Sequence, residues 1–300
     1  LHAFEYVAPL SVDDAVTLLQ ESGGAAQVLS GGTDLIPQMK EGRRRPPLVV
    51  DVKHIPELNE LVYDPVEGLW LGAAVPCHRI VGNGAIARAY PGLVEAISII
   101  GGIQIQGRAT VGGNLCNASP AADSIPALIV HRAVCHITGP DGARTVPVED
   151  FCTGPGQTVL APGELLVRIH VPAPSPNQGG AYQRFIPRNE MDIAVVGAGA
   201  ALVLDEGGQV IQSARIALGA VAPRPLFVEE AGAFLAGKPV SEEVLEEAAR
   251  LAREAARPIT DMRGTAAQRK HLSQVLTRRV LLQAVQRARG EEAGRRNGHA

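Results

Sequence analysis

Two short stretches hold the residue types from which an anion site is built. Residues 30–35 read SGGTDL, and residues 110–123 read TVGGNLCNASPAAD. Each places a double glycine among small hydroxyl residues and runs on to an aspartate. Adjacent glycines carry no Cβ, so backbone N–H groups can close on an anion as a nest. Ser30, Thr33 and Thr110 add hydroxyl donors, Asn114 adds an amide, and Asp123 is a carboxylate able to accept from a sugar or polyol hydroxyl. Facing each other, the two stretches could grip a pyrophosphate by main chain, without magnesium and without a basic clamp. Taken alone, a glycine pair after a strand is more often a turn, and spacing by itself does not bring the two together.

Other glycine-rich stretches fail on their context. VVGAGAAL (residues 195–202) has Leu202 where a dinucleotide fingerprint needs its third glycine. It also runs into VLDEGG instead of opening the helix that must receive a pyrophosphate. It reads as a small-residue strand in a packed sheet. GAFLAGKP (residues 232–239) offers Pro239 where a P-loop needs a magnesium-binding hydroxyl, and reads as the end of a helix. The eight histidines are scattered; His78 and His170 can be singled out, but a lone histidine is more often structural or superficial than a ligand. Cys77, Cys116, Cys135 and Cys152 form no Cys-x-x-Cys pair. Zinc and iron–sulfur spacing is therefore missing, and free thiols in a reducing compartment are expected.

Bulk properties narrow the field. At 300 residues with 46% hydrophobic and 20% charged residues, the chain can bury two domain cores. A net charge of −3 and 3% aromatics argue against nucleic-acid binding by either charge or stacking. Arg43, Arg44 and Arg45 form the nearest thing to a basic cluster, expected in a solvated loop, with a partner or phosphate contact as the functional alternative. No apolar run reaches membrane-spanning length and no signal-peptide pattern is seen, so a cytoplasmic protein is expected.

Several elements must position these residues. SVDDAVTLLQES predicts a helix capped by Ser11, and Gly23-Gly24 stops it. AQVLS predicts a short buried strand running into Gly31-Gly32. IPQMKEG predicts a helical turn, and LVVDV a second strand. Strand and helix signals follow in GLWLGAAVPCHRIV, and AYPGLVEAISIIG reads as a helix. The stretch around Gly112-Gly113 is read as a loop. GPDG between two β-rich runs predicts a hairpin, and ELLVRIHVP a strand. The proline-rich PAPSPNQGG that ends this strand is the best linker candidate. Beyond it come three β-like runs, AYQRFIPR, IAVVGAGAALVLDEGGQV and SARIALGAV. Three helical patterns close the chain, the second capped by Ser241. GEEAGRRNGHA has no apolar residues able to pack and predicts a disordered tail at 291–300.

With these signals in hand, VLSGGTDLIPQMK and RATVGGNLCNASPAADSIPALI resemble the two pyrophosphate loops of the FAD-binding medium subunit of the molybdenum hydroxylases, the aerobic carbon monoxide dehydrogenase and xanthine dehydrogenase type. FEYVAPLSVDDAVTLL and TDMRGTAAQRKHLSQVLTRRVLLQA are similar to the family's two ends, so the resemblance covers nearly the whole chain. It implies an α+β fold. A two-subdomain FAD-binding domain of the vanillyl-alcohol-oxidase (PCMH) type is expected over 1–176, divided into 1–56 and 57–176. A smaller C-terminal domain of antiparallel sheet plus helices would occupy 177–290. It also implies non-covalent FAD. Partners would be a large molybdopterin subunit and a small subunit with two [2Fe–2S] clusters, in a heterotrimer that dimerises. NAD, a quinone or oxygen would accept the electrons.

Carried over by position, Leu29, Ser30, Gly31, Gly32, Thr33, Asp34 and Leu35 would form the first loop. Thr110, Val111, Gly112, Gly113 and Asn114 would form the second. Asp123 would hold the ribityl or ribose side, and Leu166 or Val167 would pack on the adenine or flavin. Arg184 or Arg188 would sit near the isoalloxazine, where a cation favours added negative charge. The chain departs from the family at Gln106-Gly107, with Arg108 one step beyond the altered pair, and at Ile193, where some members carry an aromatic. The resemblance makes the chain an electron-transfer subunit with no acid–base catalyst of its own. A stand-alone FAD oxidoreductase, or a scaffold that has lost FAD, are the competing readings.

Overall fold

The structure is a computed structural model that describes residues 2–188 and 191–291. The expected tail falls, beyond Glu291, outside the described residues. The chain begins with a parallel sheet of β1 (Glu5–Val7), β2 (Gln27–Leu29) and β3 (Leu48–Asp51) in the order β1-β3-β2. The connections are α1 (Val12–Glu21) and α2 (Leu35–Lys40). Ser11 caps α1 as expected, its hydroxyl accepting from Asp14 N–H. Ala15, Val16 and Leu19 fall on one face of α1 and pack on Val50 and Val52. β2 is less buried than its composition suggests: it lies at the sheet edge, and of its three residues only Leu29 is buried. Its end nevertheless delivers Ser30 and the glycine pair, as the topology requires.

A one-turn helix at Pro56–Asn59 leads into a five-stranded antiparallel sheet. Its strands are β4 (Leu61–Asp64), β5 (Gly68–Gly72), β6 (Val134–Gly139), β7 (Gly142–Pro147) and β10 (Leu165–Val171), in the order β4-β5-β10-β6-β7. The GPDG turn closes the β6–β7 hairpin, with Gly139 paired to Gly142. Between β5 and β6 run α3 (Cys77–Val81), α4 (Gly84–Ala89), α5 (Pro91–Ser98), α6 (Val111–Cys116) and α7 (Ser124–Val130). Their apolar faces and the sheet enclose the largest core, around Leu69, Leu71, Ile80, Leu93, Leu115 and Phe151. After β7 come α8 (Val148–Phe151) and the small pair β8 (Cys152–Gly154) and β9 (Gln157–Thr158).

The third sheet is antiparallel: β11 (Gln178–Phe185), β12 (Val196–Leu204), β13 (Ile211–Gly219) and β14 (Leu226–Phe227). Three helices cover it: α9 (Glu229–Leu235), α10 (Glu242–Ala255) and α11 (Ala266–Ala288). Ser241 caps α10 through Val244 N–H. VVGAGAAL is a strand here, and its small residues have a packing cause. A Cβ on Gly197 would lie 2.4 Å from the Tyr182 hydroxyl, and one on Gly199 would meet the Pro126 backbone of α7 at 3.2 Å. Part of the expected linker is strand: Gln178, Gly179 and Gly180 pair with β12. Gly179 lets α11 lie on β11, since a Cβ there would sit 1.9 Å from the Ala284 carbonyl oxygen.

Charged contacts fix this sheet against the preceding one. The Arg287 guanidinium on α11 reaches the Glu95 carboxylate on α5 and also donates to the Gly180 carbonyl at 2.7 Å. Arg215 on β13 pairs with Glu149 at 2.6 Å. Beneath Gly180 lies His131, 5% exposed, edge-on to Tyr90 and with neither ring nitrogen hydrogen-bonded. Burial holds its imidazole neutral and lowers its pKa to about 4. Its folded pKa lies below the unfolded value, so between these values only the unfolded chain takes the proton. The contribution is present above about pH 6.5 and is lost as pH falls toward 4, about 3 kcal/mol in all. His131→Leu, of similar bulk and without a titrating group, should show a smaller loss of stability between pH 7 and pH 4.5 in urea unfolding. An unchanged pH dependence would remove His131 as the cause.

Candidate functional site

The two glycine stretches meet. Ser30, at the end of β2, and Thr110, at the start of α6, place their hydroxyls 3.1 Å apart across 80 residues of sequence. The approach is made by backbone. A Cβ on Gly31 would lie 2.1 Å from the Arg108 carbonyl oxygen, and one on Gly112 would lie 2.5 Å from that of Ala73. No side chain fits at either place, so the glycines are required by contact and not only by conformation. Gly32 has φ +76°, the left-handed region that turns the chain from β2 into α2.

A cavity of about 460 Å³ lies between the stretches, within the size range of small-molecule and cofactor sites. Ser30, Gly31, Gly32, Thr33, Asp34 and Leu35 line it from one side; Thr110, Gly112, Gly113 and Asn114 line it from the other. In the first stretch, the helical ladder opens with Ile36 N–H donating to the Gly32 carbonyl, so the N–H groups of Thr33, Asp34 and Leu35 precede it. The second stretch is not the loop its glycines suggest. Thr110 caps a helix, its Oγ1 accepting from Gly113 N–H at 2.9 Å while Asn114 N–H donates to its carbonyl. The N–H groups of Val111 and Gly112 stand ahead of that ladder. Ser124 donates to Asn114 Oδ1 at 2.6 Å, which leaves the amide nitrogen as the donor to offer. Both stretches thus bring unpaired donors to the border of one cavity, suited to phosphate oxygens.

Helical geometry adds lining residues that a loop reading misses. On α6, Cys116 and the following Asn117 lie one turn beyond Gly112 and Gly113, and both line the cavity. Cys116 is exposed where it lines the cavity, and the protein packed around it, with Cys152 adding to it, pushes its pKa up. The segment 160–164 before β10 forms another wall. Its proline and glycine mark a turn in the sequence, but nothing local marks it as cavity lining. Asp34 also faces the cavity, and desolvation raises its pKa. Among the described residues no group of acids, histidines and cysteines could hold a metal ion.

The remaining candidates divide. Leu166 lines the cavity, whereas Val167 belongs to the core beneath α1. Leu29 and Val111 are core residues, and only their neighbours reach the cavity. Asp123 is not a free acceptor. It is buried outside the lining, with one oxygen accepting from the Tyr182 hydroxyl at 2.8 Å and the other from Arg184 at 2.6 Å. Burial raises its pKa to about 6, against the pull of Arg184 and Tyr182. Arg184 is therefore held by Asp123, as a bond between β11 and the segment before α7. Arg188 is exposed and pairs with Asp192 at 3.2 Å. Gln106 is buried and donates to the Ser98 carbonyl, while Ile193 is half exposed.

Comparison with known proteins fits this geometry. Residues 2–174 match the family model described as the FAD binding domain in molybdopterin dehydrogenase, and residues 181–284 match the CO dehydrogenase flavoprotein C-terminal domain. The chain belongs to the family of FAD-binding medium subunits of molybdenum hydroxylases. It is 36% identical to the carbon monoxide dehydrogenase medium chain of Afipia carboxidovorans, over 96% of this chain and 98% of that one. Identity is 32% to the xanthine dehydrogenase FAD-binding subunit of Escherichia coli, over 95% and 97%. Among solved structures, carbon monoxide dehydrogenase from Hydrogenophaga pseudoflava superposes with a TM-score of 0.90 at 33% identity, covering 94% of this chain and 97% of that one. Quinoline 2-oxidoreductase from Pseudomonas putida 86 superposes at 0.88 and 31%, covering 96% and 98%.

The residues present fit the FAD of such a subunit. Two glycine approaches that no Cβ could make, and converging N–H and hydroxyl donors, are what a pyrophosphate needs. Gly112→Ala gains about 1 kcal/mol of helix propensity but must push against the Ala73 backbone, which costs about 1–3 kcal/mol. The clash should win, giving lower stability and reduced FAD content in the purified protein. Gly113→Ala meets only the Thr110 hydroxyl and should lose less. Equal FAD content in both variants and wild type would contradict the close approach.

Proposed function

We propose that this chain is the electron-transfer subunit of a molybdenum hydroxylase complex. In this reading electrons leave the [2Fe–2S] clusters of a small partner subunit and pass through FAD held here to an external acceptor. A large molybdopterin subunit would oxidise the substrate. Bound FAD supplies the redox chemistry, and the chain supplies binding and orientation. Ser30–Asp34 and Thr110–Asn114 would hold the pyrophosphate by N–H and hydroxyl donors, with Leu166 packed against a ring. We assign residues 1–176 to FAD binding and 177–290 to the C-terminal domain. The complex would be a cytoplasmic heterotrimer that dimerises, with non-covalent FAD and with NAD, a quinone or oxygen as acceptor.

The observation that carries this reading is the single cavity closed by both glycine stretches. Among the described residues its lining carries no histidine and no tyrosine, and its acids are Asp34 and Glu164, the latter held by Arg144. Among the described residues no helix is long and apolar enough to cross a membrane. Large apolar side chains stand exposed at Ile103, Met191, Ile193, Ile259 and Met262, and Gly102 packs beside Met191. Such exposure is consistent with partner contact. Protein expressed with its genomic neighbours should co-purify with an iron–sulfur and a molybdenum subunit. Its visible spectrum should contain a flavin signal that heat releases into solution. Colourless protein that takes up no added FAD would overturn the reading; flavoprotein that turns over a small molecule alone would favour the stand-alone enzyme.

A further inference from the structure

The arginine triplet that follows α2 is not uniform. Arg43 pairs with Glu41, and Arg45 donates to the Gly42 carbonyl at 3.3 Å. Arg44 alone lines the cavity. Its Nε donates to Gln38 Oε1 at 2.7 Å and its Nη1 to Gln27 Oε1. Among the described residues it forms no ion pair with a carboxylate. Two neutral amides thus aim the guanidinium without cancelling its charge. The backbone is pinned as well, since the N–H groups of Arg43 and Arg44 both donate to the Gln38 carbonyl. A flexible surface arginine would need none of this. Fixing so mobile a side chain costs entropy of about 2 kcal/mol, which a purely solvated role does not repay.

Its position along the cavity says what it would meet. Gln27 stands three residues before Ser30 on β2, roughly 10 Å along an extended strand. Hydrogen-bonded to Gln27, Arg44 therefore stands about one nucleoside length from Ser30, on a cavity that Ser22 and Gly24 also line. The other end of the cavity, at Ile100, leads to the loop carrying Ile103, which packs through Gly102 on Met191. Met191 lies in the connection between β11 and β12, so that end leads toward the third sheet, a setting for the isoalloxazine. The end with Arg44 remains for the adenosine.

We infer that Arg44, oriented by Gln27 and Gln38, is a specificity-determining residue that clamps the adenosine half of the dinucleotide. With Nε and Nη1 engaged, it offers the flat guanidinium face to a purine and Nη2 as a donor to the purine edge or ribose. This rests on the FAD reading of the cavity and adds a recognition element outside the glycine stretches.

The test uses the full chain freed of flavin. FAD binding is followed by fluorescence quenching, and ADP is titrated as a competitor that carries the adenosine without the flavin. Arg44→Ala should weaken both FAD and ADP about tenfold with an unchanged melting temperature, because Arg44 is exposed. Arg44→Lys keeps the charge but not the planar fork, and should stay close to Arg44→Ala. FAD affinity within twofold of wild type in Arg44→Ala would overturn the inference, as would weaker FAD binding with unchanged ADP affinity. Wild type that binds no FAD would instead overturn the reading of the cavity itself.

Discussion

The structure depends on one backbone approach. The chain leaving β2 passes so near the Arg108 carbonyl that Gly31 cannot carry a Cβ, and the Ser30 and Thr110 hydroxyls then meet. A single neutral hydrogen bond contributes about 1 kcal/mol, too little to hold two layers together. The layers are instead fixed by their cores: α1 packs on the parallel sheet and on β10, and β10 is the central strand of the antiparallel sheet. The glycines permit a closeness that packing imposes. Both stretches thereby line one cavity.

That arrangement separates scaffold from chemistry. Three charged residues line the cavity: Glu164 is held by Arg144 at 2.6 Å, while among the described residues Asp34 and Arg44 form no ion pair. In the proposed reading, N–H groups of the two glycine stretches meet the pyrophosphate and Arg44 meets the adenosine. The ionised pairs with structural consequence lie away from the cavity: Asp123 with Arg184, Glu149 with Arg215, Glu95 with Arg287. All three join the third sheet to what precedes it. The ion pairs of the chain thus fix the relative placement of its parts.

Much of this was legible in the sequence because the signals were local. Ser11 and Ser241 announced their helices, GPDG its hairpin, and the two glycine motifs their partnership through resemblance to a family. Three things were not legible. The helical state of TVGGNLC was hidden because two glycines argue against helix, and Thr110 capping outweighs them in a segment held by the core. With that missed, Cys116 and Asn117 could not be placed on the cavity face. Asp123 offered a free carboxylate on paper, but pairing with Arg184, 61 residues on, is a tertiary fact with no local mark. Arg44 looked like its neighbours Arg43 and Arg45, and only Gln27 and Gln38, brought together by the β2–α2 turn, set it apart.

The central claim is that both glycine stretches grip one dinucleotide by their backbone N–H groups. Hydrogen exchange of the flavin-free chain, with and without FAD, reads those groups directly. Amides of residues 31–35 and of Gly112 should gain protection together and at the same FAD concentration. Protection confined to one stretch, or absent from both while FAD is bound, would contradict it.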